Sequence, residues 1–226
     1  MLKVVIKIGG FAFPAGVSSD MTNAYCEVIR SFSKNRLAVV TGGGMLARKY
    51  IAAARKLGAS ECICDQIGIH VSQLNARLFV AGLGDLAYPH IAESLADYVS
   101  SATSGLIVVM GGFQPGQSTN AVAALAAEAM GADCLINVTD VDGVYSANPE
   151  KDERARKLDQ VTVDELMKIL SSESTEAGGY ALMDPLALRI VKRSRILTIV
   201  LNGHDPSNLK KALEGKRVGT MIVPGK

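Results

Sequence analysis

The sequence predicts an α/β fold in which an open, mainly parallel sheet of about eight strands lies between helices. Short apolar runs rich in Val and Ile alternate with longer segments of helical periodicity along the 226 residues, which is typical of a parallel sheet with helical crossovers. Three predicted strands end in paired or triple glycines, at 9–10, 42–44 and 111–112. Ligands of such sheets bind beyond the carboxyl ends of the strands, so these glycines mark the predicted site.

The first half of the chain alternates strands and helices. Residues 2–8 and 37–40 are predicted strands, and residues 45–57 a helix after the triple glycine. Ser18 or Ser19 is a predicted N-cap for a helix that continues to Phe32. Residues 61–64 are predicted as a further short strand and residues 66–81 as a helix with apolar residues on one side.

The stretch from 106 to 131 joins a predicted strand to an alanine-rich helix. Residues 106–110 form an unbroken apolar run, as expected for a strand covered on both faces. Ser118 or Thr119 is the predicted N-cap of the helix, and Gly131 ends it. Because the first amides of a helix lack partners, the loop between the two elements is predicted to bind an anion.

The second half continues the alternation of strands and helices. Residues 134–138 and 196–201 are predicted strands, and residues 139–149 form a turn-rich segment. Thr162 and Glu165 form a capping box before a helix. Two more helices are predicted, one from Pro185 through Arg193 and one that Asp205-Pro206 opens and that runs to Leu213. Residues 219–223 are predicted to pair as an edge strand.

Composition excludes several classes of partner. The formal net charge is +2, from 24 basic and 22 acidic residues, and no long basic run favours nucleic acid or a membrane surface. No apolar run approaches the roughly 20 residues of a membrane span, and the charged N-terminus does not resemble a signal peptide. The four cysteines lack zinc spacing and are predicted to be reduced thiols. We therefore expect a cytoplasmic protein that binds small molecules.

Several charged side chains are candidates for ligand binding. Lys7 ends the first predicted strand just before Gly9 and is placed to reach a phosphate, although a solvated lysine at a sheet edge is the alternative. Arg48 is predicted in the first turn of a helix, where the dipole disfavours a cation unless an anion is bound. Asp65 is a candidate for binding ligand hydroxyls. The three histidines have no metal spacing and are predicted to be structural or on the surface.

Two nucleotide-binding motifs were compared with the glycine pattern. A Walker loop is absent, since Gly215-Lys216 is followed by Arg217 and no glycine precedes it at the required distance. Gly42-x-Gly44-x-x-Ala47 matches a dinucleotide fingerprint, with Glu61 about 20 residues later. A dehydrogenase therefore stays open as an alternative.

Taken together, six motifs resemble the amino acid kinase superfamily, and most closely its UMP (uridylate) kinases of archaeal type. They are KIGG at 7–10, TGGGMLARKY at 41–50, DQIGI with LNA within 65–76, GGFQPGQST at 111–119, TDVDGVYSANP at 139–149 and MDPLAL at 183–188. The resemblance implies a single domain over 1–226, with an acceptor half at about 1–130 and an ATP half at about 131–226. It also implies a homohexamer that uses ATP and Mg²⁺.

The resemblance assigns roles to individual residues. The catalytic set would be Lys7, Arg48 and Asn120. ATP would contact Lys7, Gly9, Gly10, Gly44, Arg48, Thr139, Asp140, Tyr145 and Asn148. UMP would contact Gly43, Asp65, Phe113, Gln114, Pro115, Gly116, Gln117, Ser118 and Thr119. No residue is assigned as a metal ligand, since the ATP phosphates would hold Mg²⁺.

This sequence departs from the family at two positions. Many relatives have aspartate where Asn120 stands, and Asn148 likewise replaces a common aspartate. The predicted function is transfer of the ATP γ-phosphoryl group to UMP, giving UDP and ADP for pyrimidine nucleotide and CTP synthesis. The alternatives are another kinase of the superfamily, such as an isopentenyl phosphate kinase, and a non-catalytic nucleotide-binding relative. Isopentenyl phosphate kinases carry a histidine shortly after the triple glycine, whereas this chain has Arg48.

Overall fold

One seven-stranded sheet forms the centre of the part that the computed structural model describes, which is residues 1–14, 18–147, 154–172 and 182–225. The strand order is β3-β2-β1-β4-β6-β7-β5, and all pairs are parallel except β6 with β7. The prediction of a mainly parallel sheet is confirmed, with seven strands in the described residues. The strands are β1 (Lys3–Ile8), β2 (Arg36–Thr41), β3 (Val108–Met110), β4 (Cys134–Thr139), β5 (Gln160–Thr162), β6 (Leu197–Asn202) and β7 (Thr220–Val223).

Helices cover both faces of this sheet. In the described ranges they are α1 (Asp20–Ser31), α2 (Gly44–Lys56), α3 (Glu61–Leu83), α4 (Leu95–Ser101), α5 (Thr119–Met130), α6 (Val163–Ser172), α7 (Pro185–Arg193) and α8 (Ser207–Leu213). None of these helices is both long and apolar enough to cross a membrane. The element order therefore follows the strand and helix alternation expected of an α/β fold.

Alternate residues of the central strands supply two hydrophobic cores. Val5, Val40 and Met110 face a core that includes the alanines of α5 and residues of α7. Val4, Ile6 and Ile8 face the other core, with side chains from α1, α3 and α8. The small side chains of α5 let its backbone approach the sheet closely, and this places the N-terminus of α5 beside the strand ends.

The predicted helix signals at α5 and α6 are confirmed. Ser118 Oγ accepts a hydrogen bond from the Ala121 amide at 3.0 Å, and Gly131 ends the helix with φ of 60°. In the capping box the Glu165 amide donates to Thr162 Oγ1 at 3.2 Å, and the Thr162 amide donates to Glu165 Oε2 at 2.8 Å. Local capping chemistry thus fixes where both helices begin.

The predicted short strand at 61–64 is wrong. Ser60 caps α3, and residues 61–64 form its first turn. The Glu61 carboxylate pairs with the Arg55 guanidinium at 2.6 Å on the surface, instead of following a strand end. The dinucleotide fingerprint therefore lacks its acidic residue, and the basis for a dehydrogenase is lost.

The strand expected at 219–223 is confirmed as β7, but its predicted position at the sheet edge is wrong. Residues of β7 pair with β6 on one side and with β5 on the other, so β5 is the edge. The three residues of β5 are too few to show a period-2 pattern. Thr162, the last of them, also belongs to the capping box, so the sequence indicated only the helix. Gly219 allows the chain to enter β7, since it has φ of 65° and a Cβ there would lie 1.9 Å from the Val200 carbonyl oxygen.

Candidate active site

The carboxyl ends of β1 and β2 meet in a tight backbone cluster, which we call the glycine rim (Gly9, Gly10, Gly42, Gly43 and Gly44). The Gly42 amide donates to the Ile8 carbonyl at 2.9 Å, and the Gly9 amide donates to the Val138 carbonyl at 2.8 Å. A Cβ on Gly10 would lie 2.9 Å from the Gly44 Cα. The rim is therefore closely packed backbone, which lets amides approach a bound anion.

Gly44 is the residue of the rim where glycine is most strictly required. It opens α2 with φ of 67°, a region that L side chains rarely adopt. A Cβ would lie 2.4 Å from the Phe13 carbonyl oxygen and 2.8 Å from the Gly10 carbonyl oxygen. Any side chain here would displace the loop after β1 and would change the shape of the rim.

Lys7 is buried at the end of β1, with 9% of its surface exposed. Burial removes water from its ammonium group and lowers the pKa of Lys7 from 10.5 to about 8, while the nearby Asp140 and Asp184 carboxylates act in the opposite direction. This position excludes the solvated lysine that the sequence left open. A poorly hydrated cation at the strand ends is suited to bind a phosphoryl group.

The lowered pKa of Lys7 predicts an alkaline limit to activity. Below about pH 8 the side chain of the free protein is a cation, and above it the side chain becomes neutral. We expect kcat/KM for ATP to fall as pH rises through about 8, since kcat/KM reports groups of the free enzyme. The kcat profile should extend to higher pH, because bound phosphates favour the charged lysine.

Lys7→Arg provides the control for this pH profile. A guanidinium stays charged throughout the range, so the alkaline limb of kcat/KM should disappear below pH 10 even if the rate is lower. A parent profile that stays flat up to pH 10 would contradict a lowered pKa of Lys7 in the free protein.

Asp184 connects the end of the loop at 111–119 to α7. It is the N-cap of α7 and accepts hydrogen bonds from the Leu186 and Ala187 amides at 3.0 and 3.1 Å. Its other carboxylate oxygen accepts a hydrogen bond from Ser118 Oγ. Asp184 was not among the predicted site residues, although Asp before Pro is a helix-start signal, because nothing in the local sequence shows that α7 begins near Lys7.

The half-buried Asn120 and the buried Asn137 share one acceptor beside Asp184. Asn120 Nδ2 and Asn137 Nδ2 both donate to the Leu182 carbonyl, at 3.2 and 3.0 Å. The Oδ1 atoms of both side chains are buried and have no hydrogen-bond partner among the described residues. Asn120 was a predicted site residue, and Asn137 was missed. The signal for Asn137 was a lone amide within the otherwise apolar run 134–138.

Side chains of α3 fix the loop at 111–119. Asp65 Oδ2 accepts from the Gly116 amide at 2.8 Å. Ser72 Oγ accepts from the Gly112 amide at 2.8 Å, and Gln73 Nε2 donates to the Gly112 carbonyl at 3.1 Å. The structure thus brings Asp65 to the loop that contains seven of the predicted UMP-binding residues.

The same helix also holds the end of β2. Asn75 Nδ2 donates to the Gly42 carbonyl at 2.8 Å, and Thr41 Oγ1 donates to the Ser72 carbonyl at 2.8 Å. Asn75 is buried, so its amide has little competition from water. One helix therefore sets the distance between the glycine rim and the loop at 111–119. Neither Ser72 nor Asn75 was a predicted site residue.

Asp65 provides a test of the acceptor side. We expect Asp65→Ala to raise KM for UMP at least about tenfold, because the Gly116 amide loses its partner and the loop is no longer held. The kcat at saturating UMP should change less. Glu61→Ala is the matched control, since Glu61 is an exposed acid on the same helix that pairs only with Arg55. Equal KM values for the two variants would remove Asp65 from the site.

The remaining predicted ATP contacts lie around the loop after β4. Thr139 is buried, its Oγ1 accepts from the Val141 amide at 3.2 Å, and its carbonyl accepts from the Gly203 amide at 2.8 Å. Asp140 is exposed, and Tyr145 is half-buried.

Two further predicted ATP contacts are Arg48 and Asn148. Arg48 is exposed at the fifth residue of α2, one position beyond the predicted first turn, because the helix begins at Gly44. Asn148 lies outside the described residues.

The described residues contain no cluster of three His, Cys, Asp or Glu side chains that is arranged to hold a metal ion. The carboxylates of Asp140 and Asp184 nonetheless lie close enough to Lys7 to influence its ammonium group. They offer hard oxygen donors next to the position that a phosphate would take. Mg²⁺ in proteins is bound by one or two carboxylates together with substrate phosphates and water, and these residues fit that requirement.

Comparison with known proteins identifies the family. The model of the amino acid kinase family matches residues 3–202. This chain belongs to the amino acid kinase family. A uridylate kinase from Methanothermobacter thermautotrophicus is 44% identical over 224 residues, which cover 99% of this chain and 100% of that protein. One from Sulfolobus acidocaldarius is also 44% identical, over 99% of this chain and 100% of that protein.

Solved structures of this family have the same fold. The crystal structure of uridylate kinase from Archaeoglobus fulgidus superposes with a TM-score of 0.88 at 40% identity, covering 98% of this chain and 100% of that one. The UMP kinase from Bacillus anthracis superposes with a TM-score of 0.82 over 99% of this chain and 96% of that one, at 20% identity, and so supports the fold alone. The fold and the family predicted from the motifs are confirmed.

Proposed function

We propose that this amino acid kinase transfers the γ-phosphoryl group of ATP to the phosphate of UMP, giving UDP and ADP. Uridylate kinases that are 44% identical to this chain align over its whole length. The observation that carries the proposal is the buried Lys7, which lies between the glycine rim and the carboxylate that Ser118 contacts. A donor and an acceptor phosphate would meet at this ammonium group.

The chemistry of the acceptor explains why no general base is needed at this site. The second pKa of a phosphate monoester is about 6, so UMP is already a dianion near neutrality. Transfer then depends on alignment and on stabilising the charge of the transferring group. Lys7, the amides of the glycine rim and the N-terminus of α5 supply positive potential from both sides.

Asn120 is compatible with turnover, because another carboxylate lies near Lys7. The Asn120 amide bonds the Leu182 carbonyl, and so it holds the segment that leads into Asp184. Asp184 acts on Lys7 through its charge and is fixed by two backbone amides. We infer that Asn120 orients this segment while Asp184 provides the negative charge, which favours a kinase over a non-catalytic relative.

The predicted contacts divide between the two halves of the sheet. We assign Gly43, Asp65 and residues 113–119 to UMP, in the half at about 1–130. The ATP phosphates would contact Lys7, Gly9, Gly10, Gly44 and Arg48, where the two halves meet. The rest of ATP would contact Thr139, Asp140 and Tyr145, which belong to the half at about 131–226. The hydrogen bonds of α3 to the loop at 111–119 support the first assignment, and the Gly9 to Val138 bond supports the second.

Mg²⁺ is the metal that we propose for this reaction. It would be held mainly by ATP phosphates, with Asp140 and Asp184 as the carboxylates that this chain offers nearby. When bound, it neutralises charge on the β and γ phosphates. The chain itself positions the donor through the glycine rim and the acceptor through α3.

A panel of acceptors tests the proposed substrate. ADP release would be measured with ATP and each of UMP, CMP, AMP and isopentenyl phosphate. We expect kcat/KM for UMP to exceed that for each other acceptor by at least about a hundredfold, since a site built to hydrogen-bond one base rejects analogues strongly. A kcat/KM for isopentenyl phosphate higher than that for UMP would show that isopentenyl phosphate is the acceptor.

We also propose that the enzyme acts in the cytoplasm, in the synthesis of pyrimidine nucleotides. The four cysteines are free thiols, and two of them, Cys26 and Cys64, are buried. Free thiols persist in a reducing compartment. UDP is a precursor of the cytidine nucleotides in the pathway that the family resemblance implies.

A homo-oligomer, and specifically a hexamer, is the proposed assembly. A row that we call the α3 stripe recurs at spacings of four and three along the outer side of α3, and it consists of the apolar Ile63, Ile67, Leu74 and Leu78 with the polar His70 between them. Ile63 and Leu74 are 47% and 54% exposed. Contiguous apolar residues on a surface helix mark an interaction site, and a second α3 stripe would match this one in length and polarity.

Leu74→Asp tests this assembly. We expect the parent chain to elute at a mass near six times 23.8 kDa in size-exclusion chromatography with light scattering. A buried charge in the α3 stripe should reduce that mass to a smaller species. Leu57→Asp is the control, because Leu57 is 88% exposed and lies off the stripe. A parent that elutes as a monomer would contradict the assembly.

A further inference from the structure

Asn137 presents an unused acceptor in the interior of the protein. It lies in β4 and is 1% exposed. Its Nδ2 donates to the Leu182 carbonyl at 3.0 Å, and since a carbonyl oxygen can only accept, this bond fixes which end of the amide carries the nitrogen. Oδ1 therefore points away from Leu182, and it has no hydrogen-bond partner in the described ranges. A buried acceptor without a partner is uncommon in folded proteins, so its surroundings are of interest.

The residue paired with Asn137 in the neighbouring strand is Lys7. The two residues are register partners in the parallel pair of β1 and β4. Paired residues of parallel strands extend to the same face, and their backbones are about 4.8 Å apart. The Lys7 ammonium carries three donors and is buried. A residue with a buried donor and a residue with a buried acceptor are thus neighbours in the sheet, at the point where phosphoryl transfer is proposed.

We propose that Asn137 is a positioning residue for phosphoryl transfer, whose Oδ1 accepts a hydrogen bond from the Lys7 ammonium and holds it on the transferring group. The flexible stem of lysine lets the ammonium turn to Oδ1 when phosphates enter. The remaining N–H groups of Lys7 then contact phosphate oxygens. This inference rests on the proposed function.

A second amide strengthens the argument. Asn120 belongs to a different element, the first turn of α5, yet its Nδ2 bonds the same Leu182 carbonyl and its Oδ1 is likewise buried and unpaired. The Leu182 carbonyl therefore orients two amides at once. Asn120 was already assigned to the site, and Asn137 adds an acceptor that comes from the sheet, where packing holds it rigidly.

A purely structural role of Asn137 would depend on Nδ2 and not on Oδ1. In that case Asn137 would serve only to anchor Leu182 through Nδ2. Two substitutions separate the roles. Asn137→Asp keeps an oxygen at the Oδ1 position and loses the Nδ2 donor, while Asn137→Leu has a similar volume and loses both.

The experiment measures kcat and KM of the parent and both variants with UMP and ATP. We expect Asn137→Leu to lower kcat by about tenfold to a hundredfold, the range for loss of a positioned group. KM for both substrates should stay within about threefold. Asn137→Asp should retain kcat within about fivefold of the parent, because its oxygen still meets the ammonium. A kcat for Asn137→Leu within twofold of the parent, or equal losses in both variants, would overturn the proposal.

Thr198→Val is the matched control. Thr198 is a fully buried strand residue in β6 whose Oγ1 also lacks a partner in the described part of the chain, and it is paired with Leu135 instead of a site residue. Its kcat should stay within twofold of the parent. Unchanged UMP binding in calorimetry shows that Asn137→Leu is folded, and Asn137→Ala carries the same comparison if it is not. If another acceptor of the panel is the substrate, the proposed function fails and the same ratios with that acceptor decide the role of Asn137.

Discussion

Lys7→Ala is expected to lower kcat by about 10³-fold, or ~4 kcal/mol of transition-state stabilisation, while KM for UMP changes less than about threefold. The ammonium is buried and poorly hydrated, and it lies beside the glycine rim. Its interaction with the transferring group grows as charge moves during the reaction, so its loss affects the transition state more than the bound substrates. Initial rates over both substrate concentrations give kcat and each KM separately.

Lys3→Ala is the matched control for that measurement. Lys3 belongs to the same strand and extends to the same face, but it lies at the opposite end of β1. Its removal should leave kcat within twofold of the parent. Near-normal turnover in Lys7→Ala, with the control unchanged, would remove Lys7 from the mechanism and with it the reason to place transfer at the end of β1.

Gly44→Ala is expected to lower the free energy of unfolding by at least ~3 kcal/mol and to abolish most activity. A non-glycine residue at positive φ costs about 1–2 kcal/mol. The added Cβ would also lie 2.4 Å from the Phe13 carbonyl oxygen and 2.8 Å from that of Gly10. Both neighbours are backbone, so relief of the clash moves the rim itself. Denaturant unfolding with a linear extrapolation measures the stability change.

Gly58→Ala separates backbone strain from the clash. Gly58 has φ of 82° and no atom within 4 Å of its Cβ position. It should lose only about 1–2 kcal/mol from the positive φ and should keep full activity. If both variants were equally stable, the close packing of the glycine rim would not be required. If Gly44→Ala were stable and active, Gly44 would have no role in binding phosphate.

The sequence predicts the elements whose signals are local. Strands covered on both faces appear as apolar runs, and the caps of α5 and α6 follow from side chains within three residues of the helix start. The glycine pairs at strand ends predict the position of the site, because parallel strands bring their carboxyl ends to one edge. The motif at 7–10 lies at the end of β1, and the motif at 111–119 lies between β3 and α5.

What the sequence does not predict depends on contacts between distant segments. The role of Asp184 requires α7 to begin beside Ser118, 66 residues earlier in the chain. Asn137 appears as one polar residue in a buried strand, and only its register with Lys7 gives it a chemical meaning. The error at 61–64 has a similar cause, since four residues are too few to separate a helical turn from a strand when the packing of α3 decides.

The proposed transfer is tested most directly by following the reaction of UMP with ATP and Mg²⁺ by ³¹P NMR. We expect the parent protein to form UDP and ADP in a one-to-one ratio and Lys7→Ala to form neither at a comparable rate. Tight binding of UMP without any UDP would identify a non-catalytic relative. ADP formed with free phosphate instead of UDP would contradict transfer to UMP.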